Sequence, residues 1–447
     1  MQIKSAKSIR GEIYLPGDKS IAHRSIFISA IAKSKTRIYN FPANQDCLRT
    51  VQAFRKLGVK ISQGAEFYVE GRGLYGLKKP ASSIFAGESG TTFRLFLGLL
   101  AGQPFQTTLT AGPGLKNRPM QRITGPLRKM GAVLRARRPA KMSKRTIQEY
   151  PPITIKKGEL SAITYKMPIA SAQVKSALLL AGLYAKGVTK IIEPIKTRDH
   201  SERMLKDFKA DIKRRGKVIS LSSAKGLISP GEIYLPADIS SASFFMIAAI
   251  LLPHSRLVIK SVGLNPGRMG IIRVLKRMGA NIKVVISKSF HSSEPIGDII
   301  VKSSSLKGIK IPQSIIPQLI DELPILMLAA CFAKGKTIIC GAGELRVKET
   351  DRIISMQTNL RNMGANISVL SRSSKAKNII EERIIIQGGR KLRNANVSSF
   401  NDHRTAMAMV IAGLLIKGGV FIDDVGCIAK SFPDFLKVLG RVVRYCN

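Results

Sequence analysis

Apolar and polar positions alternate along this chain in two recurring forms. The first is amphipathic: apolar residues at helical spacing run into a Leu/Met-Gly-Ala-x-Ile ending and then straight into alternating residues. It is strong in FRKLGVKI (54–61), LRKMGAVL (127–134), LKRMGANI (275–282) and LRNMGANI (360–367), and weaker in LKDFKADI (205–212) and FLKVLGRVV (435–443). Helical periodicity packs one face inward, the glycine suits the left-handed residue that closes a helix, and the alternation beyond it predicts a strand. The second form is apolar nearly all round: SIFISAIA (25–32), SALLLAGLYA (176–185), FFMIAAILL (244–252), ILMLAACFA (325–333) and AMAMVIAGLL (406–415). Such segments predict helices inside a domain.

The amphipathic endings lie about 70 to 85 residues apart, which predicts six α/β units. A longer repeat groups them: GEIYLPGD (11–18) returns as GEIYLPAD (231–238), half a chain later, so two similar halves hold three units each. A solenoid would need repeats of about 20–50 residues. The longer spacing favours two compact lobes.

Composition adds bounds. The chain has 447 residues, 45% of them hydrophobic, enough for sizeable cores. No apolar run reaches the length of a membrane span, and the first residues lack a signal-peptide pattern, so a cytoplasmic protein is expected. Five scattered cysteines without CxxC spacing argue against a disulfide scaffold or zinc module. Lys and Arg number 73 against 28 Asp and Glu, a net charge of +45 that attracts anions of every kind. The densest basic stretch, RARRPAKMSKR (135–145), has no interleaved aromatic of the kind single-strand binders use, and reads as a solvated surface or loop.

Candidate chemistry gathers at turns and predicted helix starts. In LPGDKSIAHR, Ser20 can cap a helix, Lys19 and the first-turn amides then face the same space, and Arg24 lies one turn beyond Ser20; a positive helix end with two cations suits an anion. In AGESGTTFR, small residues around Gly90 let backbone approach a phosphate or carboxylate, with Arg94 one turn in. GPGLKNRPM places Arg118 before a proline, ASAQVKS offers Ser171 and Gln173 at a helix start, and TRDHSE holds Arg198, Asp199 and His200. A lone histidine such as His200 is more often structural than catalytic. IDELP sets Asp321 and Glu322 before an apolar helix, and ELRVKETDR gathers Lys348, Glu349 and Arg352. Arg404 opens a deeply apolar helix, where a charge needs a partner. Each motif alone also reads as a cap or a solvated face. Together, contributed by both halves, they suit a pocket for a multiply charged anion.

In chain order, PGDKSIAHR, GESGTTFRL, NRPM, PIASAQVKSALLLAGL, RDHSERML, DISSASFF, NPGR, IDELP, ELRVKETDRI, DHRTAMAM and AKSFPDF resemble the blocks of the 5-enolpyruvylshikimate-3-phosphate synthase family, from about residue 3 to 443. The resemblance implies an α/β fold of two lobes, each of three βαβαββ repeats in an inverse α/β barrel-like arrangement, with the active site in the interlobe cleft. It also implies that the N-terminal strand joins the C-terminal half, so that residues 1–16 and 238–447 form one lobe and 17–237 the other. The implied reaction moves the enolpyruvyl group of phosphoenolpyruvate to the 5-hydroxyl of shikimate 3-phosphate through a tetrahedral intermediate, releasing phosphate, in aromatic amino acid biosynthesis. Two phosphates and two carboxylates meet there, so the site must be rich in Arg and Lys. No metal or other cofactor is implied, and a monomer is expected.

By resemblance, Lys19, Asp321 and Glu349 are catalytic: Asp321 orients or deprotonates the hydroxyl, and Glu349 exchanges the methylene proton, with Lys19 the other acid–base candidate. Lys19, Gly90, Arg118, Gln173, Lys348, Arg352, Arg404 and Lys430 would bind phosphoenolpyruvate. Lys19, Ser20, Arg24, Ser171, Gln173, Arg198, Asp321 and Lys348 would bind shikimate 3-phosphate, and Asp46 and Arg94 would line the cleft. Gly90 is the small residue typical of glyphosate-sensitive members. Glu88 departs from the Asn of many members; either a nearby Arg compensates its charge or phosphoenolpyruvate affinity drops. The alternatives are the related UDP-N-acetylglucosamine enolpyruvyl transferase, whose reactive Cys is missing from the stretch 114–119, and a basic nucleic-acid-binding protein, which the +45 charge motivates.

Overall fold

Both predicted helix classes form, and they alternate. The computed structural model describes residues 1–64, 67–138, 148–287, 293–374 and 379–445, and the chain divides into two compact units. The terminal unit comprises Met1–Pro16, Pro236–Lys288 and Pro295–Asn447. The middle unit comprises Gly17–Leu235 and Ser289–Glu294, of which Ser293 and Glu294 are described within the second segment. Each unit has its own hydrophobic core.

The middle unit contains α1 (Lys19–Ala30), α2 (Gln45–Lys56), α3 (Gly90–Ala101), α4 (Pro113–Lys116), α5 (Gln121–Lys129), α6 (Ala172–Gly182) and α7 (His200–Asp207). The terminal unit contains α8 (Ile239–Leu251), α9 (Gly270–Arg277), α10 (Leu323–Phe332), α11 (Arg352–Asn362), α12 (His403–Leu415) and α13 (Phe435–Val442). Helices α1, α3, α6, α8, α10 and α12 are buried along nearly their whole length. Most of the amphipathic helices bury one face only, as α2, α5 and α9 do.

The strong amphipathic endings behave as expected. Gly58, Gly131, Gly279 and Gly364 all adopt positive φ just past α2, α5, α9 and α11, a conformation that a side chain would oppose. The two weak endings differ. After α7 it is Lys209, at φ +65, that takes the left-handed position. Gly440 lies inside α13, which runs directly into strand Val443–Tyr445. Another correction concerns Ser20: the cap of α1 is Asp18, whose carboxylate accepts from the Ile21 N–H at 3.0 Å.

Five sheets share one pairing order: a parallel pair followed by two antiparallel pairings. In the middle unit, Glu232–Tyr234 pairs parallel with Lys35–Tyr39, which pairs antiparallel with Phe67–Glu70 and that with Ile61–Gln63. The other two middle-unit sheets repeat this order. In the terminal unit, Ala6–Tyr14 pairs parallel with Arg256–Gly263, followed by Ile296–Lys302 and Asn281–Ser287, while Val443–Tyr445 covers the far edge of Ala6–Tyr14. A second sheet there follows the order and a third is shortened to Asn396–Val397, Val420–Ile422 and Gln2–Ile3. The result is a mixed α/β fold. Among the described residues no helix is long and apolar enough to cross a membrane.

Of the densest basic stretch, 139–145 lies outside the described residues, as does Cys446. Within it, Arg138 pairs with the buried Glu149, which also takes Arg128.

Candidate active site

The middle unit gathers its candidate residues where α1, α2, α3 and α6 begin. Lys19 opens α1 and forms an ion pair with Asp46 in the first turn of α2. Ser20 Oγ accepts from Arg198 Nη1 at 3.1 Å. Arg24 is buried, and its guanidinium donates to Ser201 Oγ, the Ser20 carbonyl and Ser176 Oγ, each at 2.7 Å. Burial foremost, with Arg198 nearby, lowers its pKa to about 10, which still leaves it charged at neutral pH.

At the start of α3, Ser89 caps the helix and Gly90 leaves a notch. A side chain there would put its first carbon 2.8 Å from Arg94 Nη1 and 3.0 Å from Arg118 Nη1, so two cations flank the helix end. Gln173 accepts from Arg94 at 2.7 Å and donates to Thr91 Oγ1 at 2.9 Å, while Ser171 caps α6. Glu88, which the sequence leaves in need of a partner, finds one in the backbone: its carboxylate accepts the N–H groups of Leu115 at 2.8 Å and Gly114 at 3.3 Å.

The terminal unit builds its candidates around Asp321, which is 8% exposed just before α10. Its carboxylate faces Lys348 Nζ at 3.5 Å, Arg352 Nη1 at 3.7 Å and Arg268 Nη1 at 3.4 Å. Its carbonyl accepts from Arg404 Nη1 at 2.8 Å. Arg352 is buried and also holds Glu349 at 2.6 Å and Asp402 at 2.9 Å. Burial opposes its charge, but Asp402, Glu349 and Asp321 outweigh burial and raise its pKa. Lys430 donates to the carbonyl and side-chain oxygens of Asn401, at the approach to α12. A carboxylate ringed by cations and a second beside a guanidinium place acid–base groups and anion ligands together in this unit.

A family model described as EPSP synthase (3-phosphoshikimate 1-carboxyvinyltransferase) matches residues 3–439. The chain belongs to the EPSP synthase family. A 3-phosphoshikimate 1-carboxyvinyltransferase of Desulforamulus reducens is 44% identical over 446 residues, 99% of each chain. The solved EPSP synthase of Acinetobacter baumannii matches with a TM-score of 0.83 at 40% identity, covering 99% of this chain and 97% of that one. The enolpyruvyl transferase NikO of Streptomyces tendae, at 16% identity and TM-score 0.74, shares the fold. The protein is therefore a 3-phosphoshikimate 1-carboxyvinyltransferase that carries out the enolpyruvyl transfer of the shikimate pathway. EPSP synthase activity implies phosphoenolpyruvate and shikimate 3-phosphate as substrates.

Around these EPSP synthase motifs lie partners that motif reading missed. Arg268 is 4% exposed and donates to Ser240 Oγ at 2.5 Å as well as facing Asp238, Asp321 and Glu322. Lys175, within α6, is fully buried between Glu193 at 3.1 Å and Glu202 at 2.7 Å, and donates to the Arg198 carbonyl at 3.0 Å. Arg214 closes that cluster against both glutamates. His200 is buried and faces Glu294 at 2.7 Å. The NPGR block containing Arg268 was visible in the sequence, but nothing local to it pointed to residue 321.

Proposed function

We propose that this EPSP synthase works by addition and elimination, with acid–base and anion-binding residues drawn from the motifs of both units. The carrying observation is Asp321, a carboxylate set among Lys348, Arg352 and Arg268 with Arg404 on its own carbonyl. In this reading Asp321 orients the 5-hydroxyl of shikimate 3-phosphate and takes its proton as the oxygen attacks the central carbon of phosphoenolpyruvate. Glu349, with Lys19 the other acid–base candidate, protonates the methylene. The tetrahedral intermediate then loses phosphate as Glu349 takes a proton back. Developing charge on the phosphate and carboxylate is met by cations already held in place, which costs little reorganisation at the moment of reaction.

Phosphoenolpyruvate is assigned to Lys19, the Gly90 backbone, Arg118, Gln173, Lys348, Arg352, Arg404 and Lys430. Shikimate 3-phosphate is assigned to Lys19, Ser20, Arg24, Ser171, Gln173, Arg198, Asp321 and Lys348, with Asp46 and Arg94 lining the site. The shared pairing order of five sheets supports six βαβαββ copies, three in each of two lobes in an inverse barrel-like arrangement. The enzyme is read as a cytoplasmic monomer, for which sedimentation should give one species near the chain mass of 48.8 kDa.

A phosphate-release assay with both substrates tests the assignment. Asp321→Asn and Glu349→Gln should each lower kcat by about 100-fold or more, with KM values changed only a few-fold. Wild-type turnover in either variant would refute the catalytic role of the residue replaced. In the same assay glyphosate should compete with phosphoenolpyruvate, because Gly90 leaves the notch open.

A further inference from the structure

We infer that Glu88 is a positioning residue for phosphoenolpyruvate binding, a carboxylate clamp that fixes the loop carrying Arg118. The inference rests on the reading that Arg118 binds phosphoenolpyruvate. Four contacts join the loop before α3 to the stretch 110–115: the Ala86 N–H donates to the Thr110 carbonyl at 3.0 Å, the Gly112 N–H to the Gly87 carbonyl at 2.8 Å, and the Leu115 and Gly114 N–H groups to the Glu88 carboxylate at 2.8 and 3.3 Å. The last two use the Glu88 side chain and are charge-assisted, which makes them stronger than neutral bonds. The Leu115 carbonyl in turn accepts the Arg118 N–H at 3.0 Å. Leu115 is thus fixed through its N–H by Glu88, through its buried side chain by the core, and through its carbonyl to Arg118.

The glycines of GPG make room for this clamp. A first side-chain carbon at Gly112 would fall on the Glu88 carboxylate, well inside contact distance, and one at Gly114 would lie 2.8 Å from Glu88 Oε2. Gly112 has φ −68 and ψ 171, which any residue can adopt, so the backbone itself does not require glycine there. What excludes a side chain at Gly112 is the carboxylate. Gly112 and Glu88 therefore form a lock whose two halves can be removed separately.

The test is a double-mutant cycle read as KM for each substrate and kcat. Glu88→Ala should raise KM for phosphoenolpyruvate about tenfold, the scale of one lost charge-assisted hydrogen bond, and leave KM for shikimate 3-phosphate and kcat within about threefold. Glu88→Gln, which keeps one acceptor oxygen, should recover part of that loss. Gly112→Ala should reproduce the Glu88→Ala phenotype by expelling the carboxylate, and should add little in the Glu88→Ala background. Unchanged KM for phosphoenolpyruvate in Glu88→Ala, or strictly additive effects in the cycle, would overturn the clamp. Arg118→Ala separates the two ideas: an unchanged KM for phosphoenolpyruvate there would overturn the assignment of Arg118, and the clamp with it. A damaged Arg118→Ala beside a normal Glu88→Ala would overturn the clamp alone. The KM for shikimate 3-phosphate reports on folding of the same unit in every variant.

Discussion

His23 shows how a single buried residue can tie neighbouring helices together. It sits on α1 between Lys19 and Arg24, with Nδ1 2.8 Å from Thr50 Oγ1 on α2. Thr50 meets Thr92 at 2.6 Å, and Thr92 donates to Ser89 at 2.7 Å, so a chain of hydrogen bonds runs from α1 to the cap of α3. Burial above all, then the charges of Lys19 and Arg24, hold the His23 pKa well below its ordinary 6.5, with Asp18 opposing weakly. Below pH 6.5 the unfolded chain takes up a proton that the folded one refuses, so stability falls with acidification, by up to about 1.4 kcal/mol per pH unit. Above pH 6.5 the residue contributes no slope. His23→Gln should flatten this fall: urea midpoints at pH 7 and pH 5.5 should differ less in the variant than in the wild type. An equal difference would disprove the assignment. Motif reading named Lys19 and Arg24 because they share a block, but it passed over His23, since nothing in KSIAHR tells which side chain turns inward.

At the scale of elements, legibility followed the locality of the cause. Helix ends are local, so the four glycine-closed helices were readable. The left-handed Lys209 was not, because no residue type announced it. An L-residue there costs about 1–2 kcal/mol, part of which glycine gives back in unfolded-chain entropy. Lys209→Gly should therefore raise stability by about 0.5–1 kcal/mol, seen as a higher urea midpoint at unchanged slope. A lower midpoint would mean that the lysine side chain contributes packing that outweighs the strain. The twin GEIYLP segments carry a second lesson. Asp18 and Asp238 both cap buried helices, and two residues on, Ser20 and Ser240 each accept from an arginine, Arg198 and Arg268. Between them the pattern breaks: Lys19 stands in one copy and Ile239 in the other. The terminal unit fills the corresponding surroundings with Glu322, which accepts from Ser240. Repetition in the sequence revealed the shared frame; the carboxylates that occupy one copy come from about 80 residues away and were invisible to it.

For the molecule as a whole, charge dominates what fold and site leave unexplained. The cations assigned to substrates are few beside the 73 present, so most of the +45 lies elsewhere. Mutual repulsion among those charges destabilises the compact state and is screened by salt. The melting temperature should therefore rise as sodium chloride goes from about 0.05 to 0.5 M, where the Debye length shrinks to a few ångströms. A flat or falling curve would show that the charges are already locally paired. If the excess instead serves nucleic acid, filter binding should be lost steeply over the same range.

One strand sets a timetable. Ala6–Tyr14 lies between Arg256–Gly263 and Val443–Tyr445 in the finished sheet, with Ile9 and Ile13 buried. On the ribosome it is made before both of its neighbours, and Val443–Tyr445 comes last of the three. At about 5–20 residues per second that delay is tens of seconds. Gly17–Leu235 is meanwhile synthesised without interruption and can collapse on its own core. The strand therefore waits for its parallel partner until Arg256–Gly263 has been made, and one of its edges stays open until Val443–Tyr445 joins it.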